Sequence, residues 1–202
     1  MSYRFQSLPG ATTVGLVCKD GVILASESRY SYGYFIVSNT AKKVFKITDN
    51  IGAACAGLVG DMQVLMKETA IYSSIYAHER ERDVTVRSAA KLMGNLLFQR
   101  KFVPYITQTI VGGVDEEGPS LFVLDLMGSV IGDKYATIGS GAEVAVGVFE
   151  SDYRDDLSID EGRDIAIKAL KASLARDAAS GGSLDIMTIT KEGIKEEIIK
   201  AE

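Results

Sequence analysis

Between positions 10 and 15 the chain reads Gly10-Ala11-Thr12-Thr13-Val14-Gly15, a small and hydroxyl-rich lead-in to a strand-like run. Further along stand Glu27 and Arg29, the pair Lys42-Lys43, and a small-residue stretch ending at Gly57. Later come Gly139-Ser140-Gly141 and Arg176-Asp177-Ala178-Ala179-Ser180-Gly181-Gly182. These are residue types that a hydrolase built around one N-terminal residue uses. In such a centre a side-chain oxygen attacks the amide, and the free α-amine of the same residue, with an ordinary pKa of ~8, takes the proton. A lysine keeps the local field positive, a carboxylate orients that lysine, and backbone N–H at a glycine holds the oxyanion. Ala11 stands out for what it lacks, because a methyl group has no oxygen to attack with.

Taken one at a time, these residues also have plainer readings. Glu27 and Lys43 could form an ordinary surface pair worth ~0–1 kcal/mol, and Gly57 could be a packing glycine. His78, among Tyr76, Glu79 and Arg80, reads as a surface residue at a helix end. Cys18 and Cys55 lie in apolar runs and read as buried free thiols, which fits a cytosolic, hence cytoplasmic, setting. One histidine and two cysteines without CxxC spacing give no zinc pattern, and no metal or cofactor is expected.

Composition narrows the function classes. With 202 residues, 47% of them apolar, the chain can bury the core of a single large domain. A net charge of -5 speaks against general binding to nucleic-acid backbones, which needs a basic face. No apolar run reaches the roughly 20 residues of a membrane span, and residues 1–10 are too short and polar for a signal peptide.

The elements that must position these residues follow from periodicity. Val14 to Cys18 and Val22 to Ser26 flank Lys19-Asp20-Gly21, a strong hairpin signal. Extended runs follow at 34–38, 43–47 and 51–57. A helix is expected from Asp61, with Met62, Leu65, Met66, Thr69, Tyr72, Ile75 and Tyr76 at three-to-four spacing as its core stripe. A second helix over 84–100 carries Val86, Ala89, Ala90, Met93, Leu96 and Leu97 on one face. Strands return at 107–114, 120–126 and 135–138, then a short helix at 143–149. Ser158-Ile159-Asp160-Glu161 is a capping box heading a helix that ends near Arg176. The last strands, 184–190 and 194–199, meet at Lys191-Glu192-Gly193. Strands, two helices, strands, two helices, strands is an α+β order. It predicts two packed antiparallel sheets between helix pairs, a four-layer αββα sandwich, in a single domain over 11–202.

The spaced motifs resemble those of the β subunit of the proteasome core particle, most closely the archaeal kind, from Gly10 to about Ile189. Gly10-Ala11-Thr12-Thr13-Val14-Gly15 is similar to the family's Gly followed by Thr-Thr-Thr-Val-Gly. Leu24-Ala25-Ser26-Glu27-Ser28-Arg29, Lys42-Lys43-Val44-Phe45 and Ala56-Gly57-Leu58-Val59-Gly60-Asp61 resemble its acidic, lysine and oxyanion segments. The resemblance implies the N-terminal-nucleophile hydrolase fold and a threonine-type endopeptidase family. It puts Ala11 in the nucleophile position, Glu27 and Lys43 in the places of the acidic partner and the lysine, and Gly57 as the oxyanion N–H. Ser140, Asp177 and Ser180 take the places of groups holding the terminal amine. Tyr30, Ala41, Cys55, Val59 and Gln63 fall where relatives line a substrate side-chain pocket.

Two departures matter beside Ala11. Ala178 follows Asp177 where active relatives often carry a hydroxyl, and Tyr30 is bulky for a pocket wall. The expectations are then specific. Residues 1–10 are a pro-segment that stays uncleaved at Gly10-Ala11, and the chain is inactive by itself. Ala11 is either the mark of a natural non-catalytic subunit or a Thr→Ala knock-out. The alternative is an active threonine peptidase through Thr12 or another start site, but strand alternation turns Thr12 away from Lys43 and Glu27. A third reading is a smaller amidase outside the proteasome. The implied partners are α subunits and other β subunits in rings of seven (α7β7β7α7), ATPase regulators acting through the α ring, and unfolded protein substrates, with no nucleic acid and no membrane.

Overall fold

A computed structural model describes residues 10–200, so the expected pro-segment, Gly10 apart, lies outside the described residues. The Lys19-Asp20 turn forms as expected: β1 (Thr12–Cys18) and β2 (Gly21–Glu27) pair antiparallel from Thr13↔Ser26 to Cys18↔Gly21. They sit inside a five-stranded sheet of order β10-β1-β2-β11-β12, completed by β10 (Tyr135–Gly139), β11 (Ser183–Thr190) and β12 (Gly193–Lys200). A second five-stranded antiparallel sheet has the order β5-β6-β7-β8-β9, from β5 (Val44–Lys46), β6 (Ile51–Gly57), β7 (Thr107–Asp115), β8 (Gly118–Leu124) and β9 (Val130–Asp133). A small hairpin, β3 (Tyr30–Tyr32) with β4 (Phe35–Ser38), stands apart from both.

Three apolar layers hold the sandwich. Leu24, Val44, Ala54, Ile110 and Met187 pack between the sheets. Helices α1 (Val59–Arg80) and α2 (Val86–Gln99) cover the second sheet through Met62, Leu65, Met93 and Leu97. Helices α3 (Ala142–Asp152) and α4 (Ile159–Leu174) cover the first sheet through Phe149, Ala166 and Leu170. The four-layer αββα arrangement of the N-terminal-nucleophile hydrolase fold is thus present. Ser158 caps α4 with both halves of its capping box in place, its hydroxyl accepting from Glu161 N–H while the Glu161 carboxylate accepts from Ser158 N–H.

Three sequence expectations change. First, α1 begins at Val59, so Asp61 stands inside its first turn rather than at its head, and the Asp61 carboxylate accepts from Ile106 N–H at 2.8 Å. Second, only part of the α1 stripe is core. Met62, Leu65, Met66 and Thr69 are buried, whereas Tyr72 and Ile75 are about half exposed, at 49% and 48%. Third, β3 and β9 are additional short strands, paired with the neighbouring β4 and β8.

Candidate functional site

One end of the sandwich gathers residues from both termini of the described chain. β1 begins there at Thr12, and Ala11, just before it, packs in the inter-sheet layer with Val44 and Ala56 and is 1% exposed. Strand alternation sends the next side chain the other way. The Thr12 hydroxyl lies 2.7 Å from Ser180 Oγ. Thr13 points back between the sheets and donates to the Cys55 carbonyl at 2.8 Å.

Beneath this segment lies a fully buried ion pair. Glu27 at the end of β2 is 0% exposed and Lys43, just before β5, is 1% exposed. Lys43 Nζ donates to Glu27 Oε1 and to the Arg29 carbonyl, the latter at 2.6 Å. The carboxylate also accepts from three backbone N–H groups: Thr12 at 3.3 Å, Arg29 at 2.7 Å and Gly181 at 2.9 Å. Burial pushes the Glu27 carboxyl above its usual range, against the opposing pull of Lys43 and the Gly181 and Arg29 N–H groups. Burial likewise lowers the Lys43 amine, against the attraction of Glu27 and Asp177. The pair persists because the carboxylate is multiply hydrogen-bonded, which a desolvated charge requires.

A second polar chain surrounds the nitrogen of residue 11. Ala11 N–H donates to Ser140 Oγ at 3.1 Å, and Ser140 donates to Asp177 Oδ2 at 2.6 Å. Ser180 donates to the same oxygen at 2.7 Å. A hydroxyl has one proton, so Ser180 must accept from Thr12, and the Thr12 hydroxyl is thereby committed as a donor. Asp177 Oδ1 accepts from Ala179 N–H at 3.0 Å, closing the turn that carries Ser180. Gly10 is buried against this turn, where a Cβ would fall 1.9 Å from Ala179 Cβ.

Gly57 ends β6 at φ +145, where a Cβ would come within 2.1 Å of the Ile106 carbonyl oxygen, so only glycine fits. Of the five expected pocket residues, Tyr30, Ala41 and Val59 are half-buried and Gln63 is exposed. Cys55 is fully buried in the layer under α1 and α2, with Sγ 3.7 Å from Thr109 Oγ1, and burial pushes its thiol up to about 12. Among the described residues no three His, Cys, Asp or Glu side chains converge as metal ligands.

Residues 8–189 match the family model described as proteasome subunit. The chain belongs to the proteasome β-subunit family. It is 45% identical over 200 residues to "Proteasome subunit beta 2" of Caldivirga maquilingensis, covering 99% of this chain and all of that relative. It is 44% identical over 193 residues to the beta 2 subunit of Pyrobaculum arsenaticum, covering 96% and 95% of the two chains. It is 45% identical over 189 residues to "Proteasome subunit beta 1" of Nitrosopumilus maritimus, covering 94% and 95%. The proteasome β-type match thus runs through every segment that supplies the site, from Gly10 to Gly181. One contributor escaped the sequence reading. Gln108 accepts from Gly139 N–H at 3.2 Å, across the mouth between the sheets. Its signal was a polar residue in phase with inward-facing Ile110.

Proposed function

We propose that this chain is a β subunit of the 20S proteasome core particle whose own nucleophile position is empty. Ala11 occupies that position, Glu27 and Lys43 are the acidic and basic partners, and the Gly57 N–H is the oxyanion donor. Ser140, Asp177 and Ser180 hold the nitrogen of residue 11. The observation that carries the reading is the Ala11–Ser140–Asp177 hydrogen-bond chain above the buried Glu27–Lys43 pair. In this reading those polar groups surround a methyl group where a threonine would carry its hydroxyl. Without the hydroxyl, neither attack on a substrate amide nor attack on the Gly10–Ala11 bond has an attacking atom. Residues 1–10 therefore remain attached, and the α-amine that would serve as base never forms.

The contribution of the chain is then architectural. It builds, with α subunits and other β subunits in rings of seven, the chamber in which unfolded proteins are cut by an active neighbour. Thr12 does not substitute. Its hydroxyl faces Ser180 and is committed to it, and its nitrogen is an amide already donating to Glu27.

Particles assembled from this chain and α subunits alone test the reading with fluorogenic peptides. The expected result is no turnover above blank, and Ala11→Thr should restore both processing and turnover. Turnover by the unchanged chain would overturn the proposal. Failure of Ala11→Thr would mean that the surrounding groups no longer form a working site.

A further inference from the structure

We infer that Gln108 is a positioning residue, a strut across the sheets that sets the Ser140 turn against the nitrogen of residue 11. The inference rests on the reading of that nitrogen as the centre of the site.

The geometry begins with strand phase. On β7 Thr109 turns to the helix side, beside Cys55, while Ile110 packs between the sheets. Gln108 shares the phase of Ile110, so it stands on the inter-sheet face at the open end of the cleft. Its register partner on β6 is Ala56, which lies in the same layer as Ala11. From the opposite sheet, Gly139 arrives at the same spot. A Cβ on Gly139 would lie 3.1 Å from Ala56 Cβ and 2.1 Å from the Ala11 carbonyl oxygen. Gln108, Ala56, Gly139 and Ala11 therefore converge at one point of the cleft mouth.

The side chain has a definite task there. Gly139 ends β10 in the left-handed region at φ +93, where the strand gives way to the Ser140 turn. Its N–H donates to Gln108 Oε1 at 3.2 Å, a bond that ties the first sheet to the second. The next residue, Ser140, accepts from Ala11 N–H and donates to Asp177. Gln108 is exposed at the cleft mouth, and among its atoms the carboxamide oxygen is the one that meets the Gly139 N–H. Removing the acceptor frees the Gly139 peptide to rotate, and the rotation moves the Ser140 hydroxyl away from residue 11.

The test compares Gln108→Leu, which keeps the size and loses the acceptor, with Gln108→Glu, which keeps an acceptor oxygen. Amide hydrogen exchange with residue-level mass spectrometry is read on the full chain. In Gln108→Leu the amides of Gly139 and Ala11 should exchange about five- to tenfold faster, the scale of one lost hydrogen bond. Gln108→Glu should exchange at the parent rate, and the Val14 and Leu24 amides should be unchanged in both variants. An unchanged Ala11 amide in Gln108→Leu, or equal behaviour of the two variants, overturns the inference. A second readout adds Ala11→Thr to each variant and measures the rate of labelling by a threonine-directed covalent inhibitor. Labelling should slow in the Leu variant and recover in the Glu variant, and equal rates overturn the positioning role. If Ala11→Thr alone takes no label, the fault lies with the site reading, and the exchange rates still decide the role of Gln108.

Discussion

Replacing Lys43 by methionine tests the buried pair on which the site is built. Methionine has similar length and packs where the lysine stem packs, so the loss is chiefly the ammonium. It leaves the Glu27 carboxylate 0% exposed, with only the Thr12, Arg29 and Gly181 N–H groups to satisfy it. Breaking one side of a buried ion pair costs about 3–5 kcal/mol. The three remaining N–H groups offset part of that, so the lower end, about 3 kcal/mol at pH 7, is expected. That corresponds to a roughly 150-fold fall in the folded-to-unfolded ratio. The sign of the pH dependence follows from burial. It raises the Glu27 carboxyl in the folded chain above its usual 4.5, and Lys43 is the largest influence opposing that rise. In Lys43→Met the folded chain therefore prefers a neutral Glu27 more strongly still. The destabilisation should be small below pH 4.5, where the unfolded carboxyl is protonated too, and should grow as pH rises through the folded value. Urea unfolding of the full chain at fixed protein concentration measures both effects, since assembly shifts apparent stability. The double variant Lys43→Met with Glu27→Leu should recover most of the loss, because no unpaired charge remains. A loss below about 1 kcal/mol at pH 7, or one independent of pH, would refute the reasoning.

Three further outcomes are expected. Cys18 and Cys55, whose thiols burial pushes up to about 12, should resist alkylation in the native chain at pH 8 and react after unfolding. Their contribution to stability should be intact below pH 9.0, the ordinary thiol value, and be lost as pH rises from there toward about 12; rapid native labelling contradicts this. Gly57→Ala forces a Cβ to 2.1 Å from the Ile106 carbonyl oxygen. It should destabilise by at least about 1–3 kcal/mol in thermal unfolding, and unchanged stability would count against the backbone described for β6. Asp177→Ala strips the acceptor from Ser140, Ser180 and Ala179 N–H. It should cost about 1–3 kcal/mol in chemical denaturation, with Asp177→Asn costing less because one acceptor oxygen remains; equal losses would contradict the network.

Much of this is legible in the sequence, for local reasons. The hairpin at Lys19-Asp20-Gly21, the Ser158–Glu161 capping box and the α2 stripe act over a few residues, and each is present in the structure, the hairpin with Lys19-Asp20 as its turn and Gly21 already in β2. What escaped the sequence is very short or depends on distant partners. β3 and β9 are strands of three and four residues, each paired with the neighbouring strand in sequence and too short to carry a period-two pattern. The start of α1 carries no side-chain cap to mark it, and Asp61 in its first turn serves Ile106, 45 positions away. Two of the seven α1 stripe residues, Tyr72 and Ile75, are exposed, and Val64 and Ile71 outside the stripe are exposed as well, so apolar residues lie around much of this helix. At the site, the resemblance to the family's motifs pointed to Glu27, Lys43, Ser140, Asp177 and Ser180. They could not show that Asp177 serves two hydroxyls or that Thr12 is already bound to one of them. The role of Gln108 is not legible in the sequence because its partner, Gly139, comes from the other sheet.

The central claim is that a proteasome β-type site stands assembled around Ala11 without a nucleophile. Intact mass, measured on particles in which this chain is the sole β subunit, tests it most directly. The unchanged chain should keep Met1 to Gly10, whereas Ala11→Thr should lose those residues and begin at position 11. A mature chain beginning at Ala11 or Thr12 without that substitution would contradict the account, because it would reveal a nucleophile elsewhere in the site.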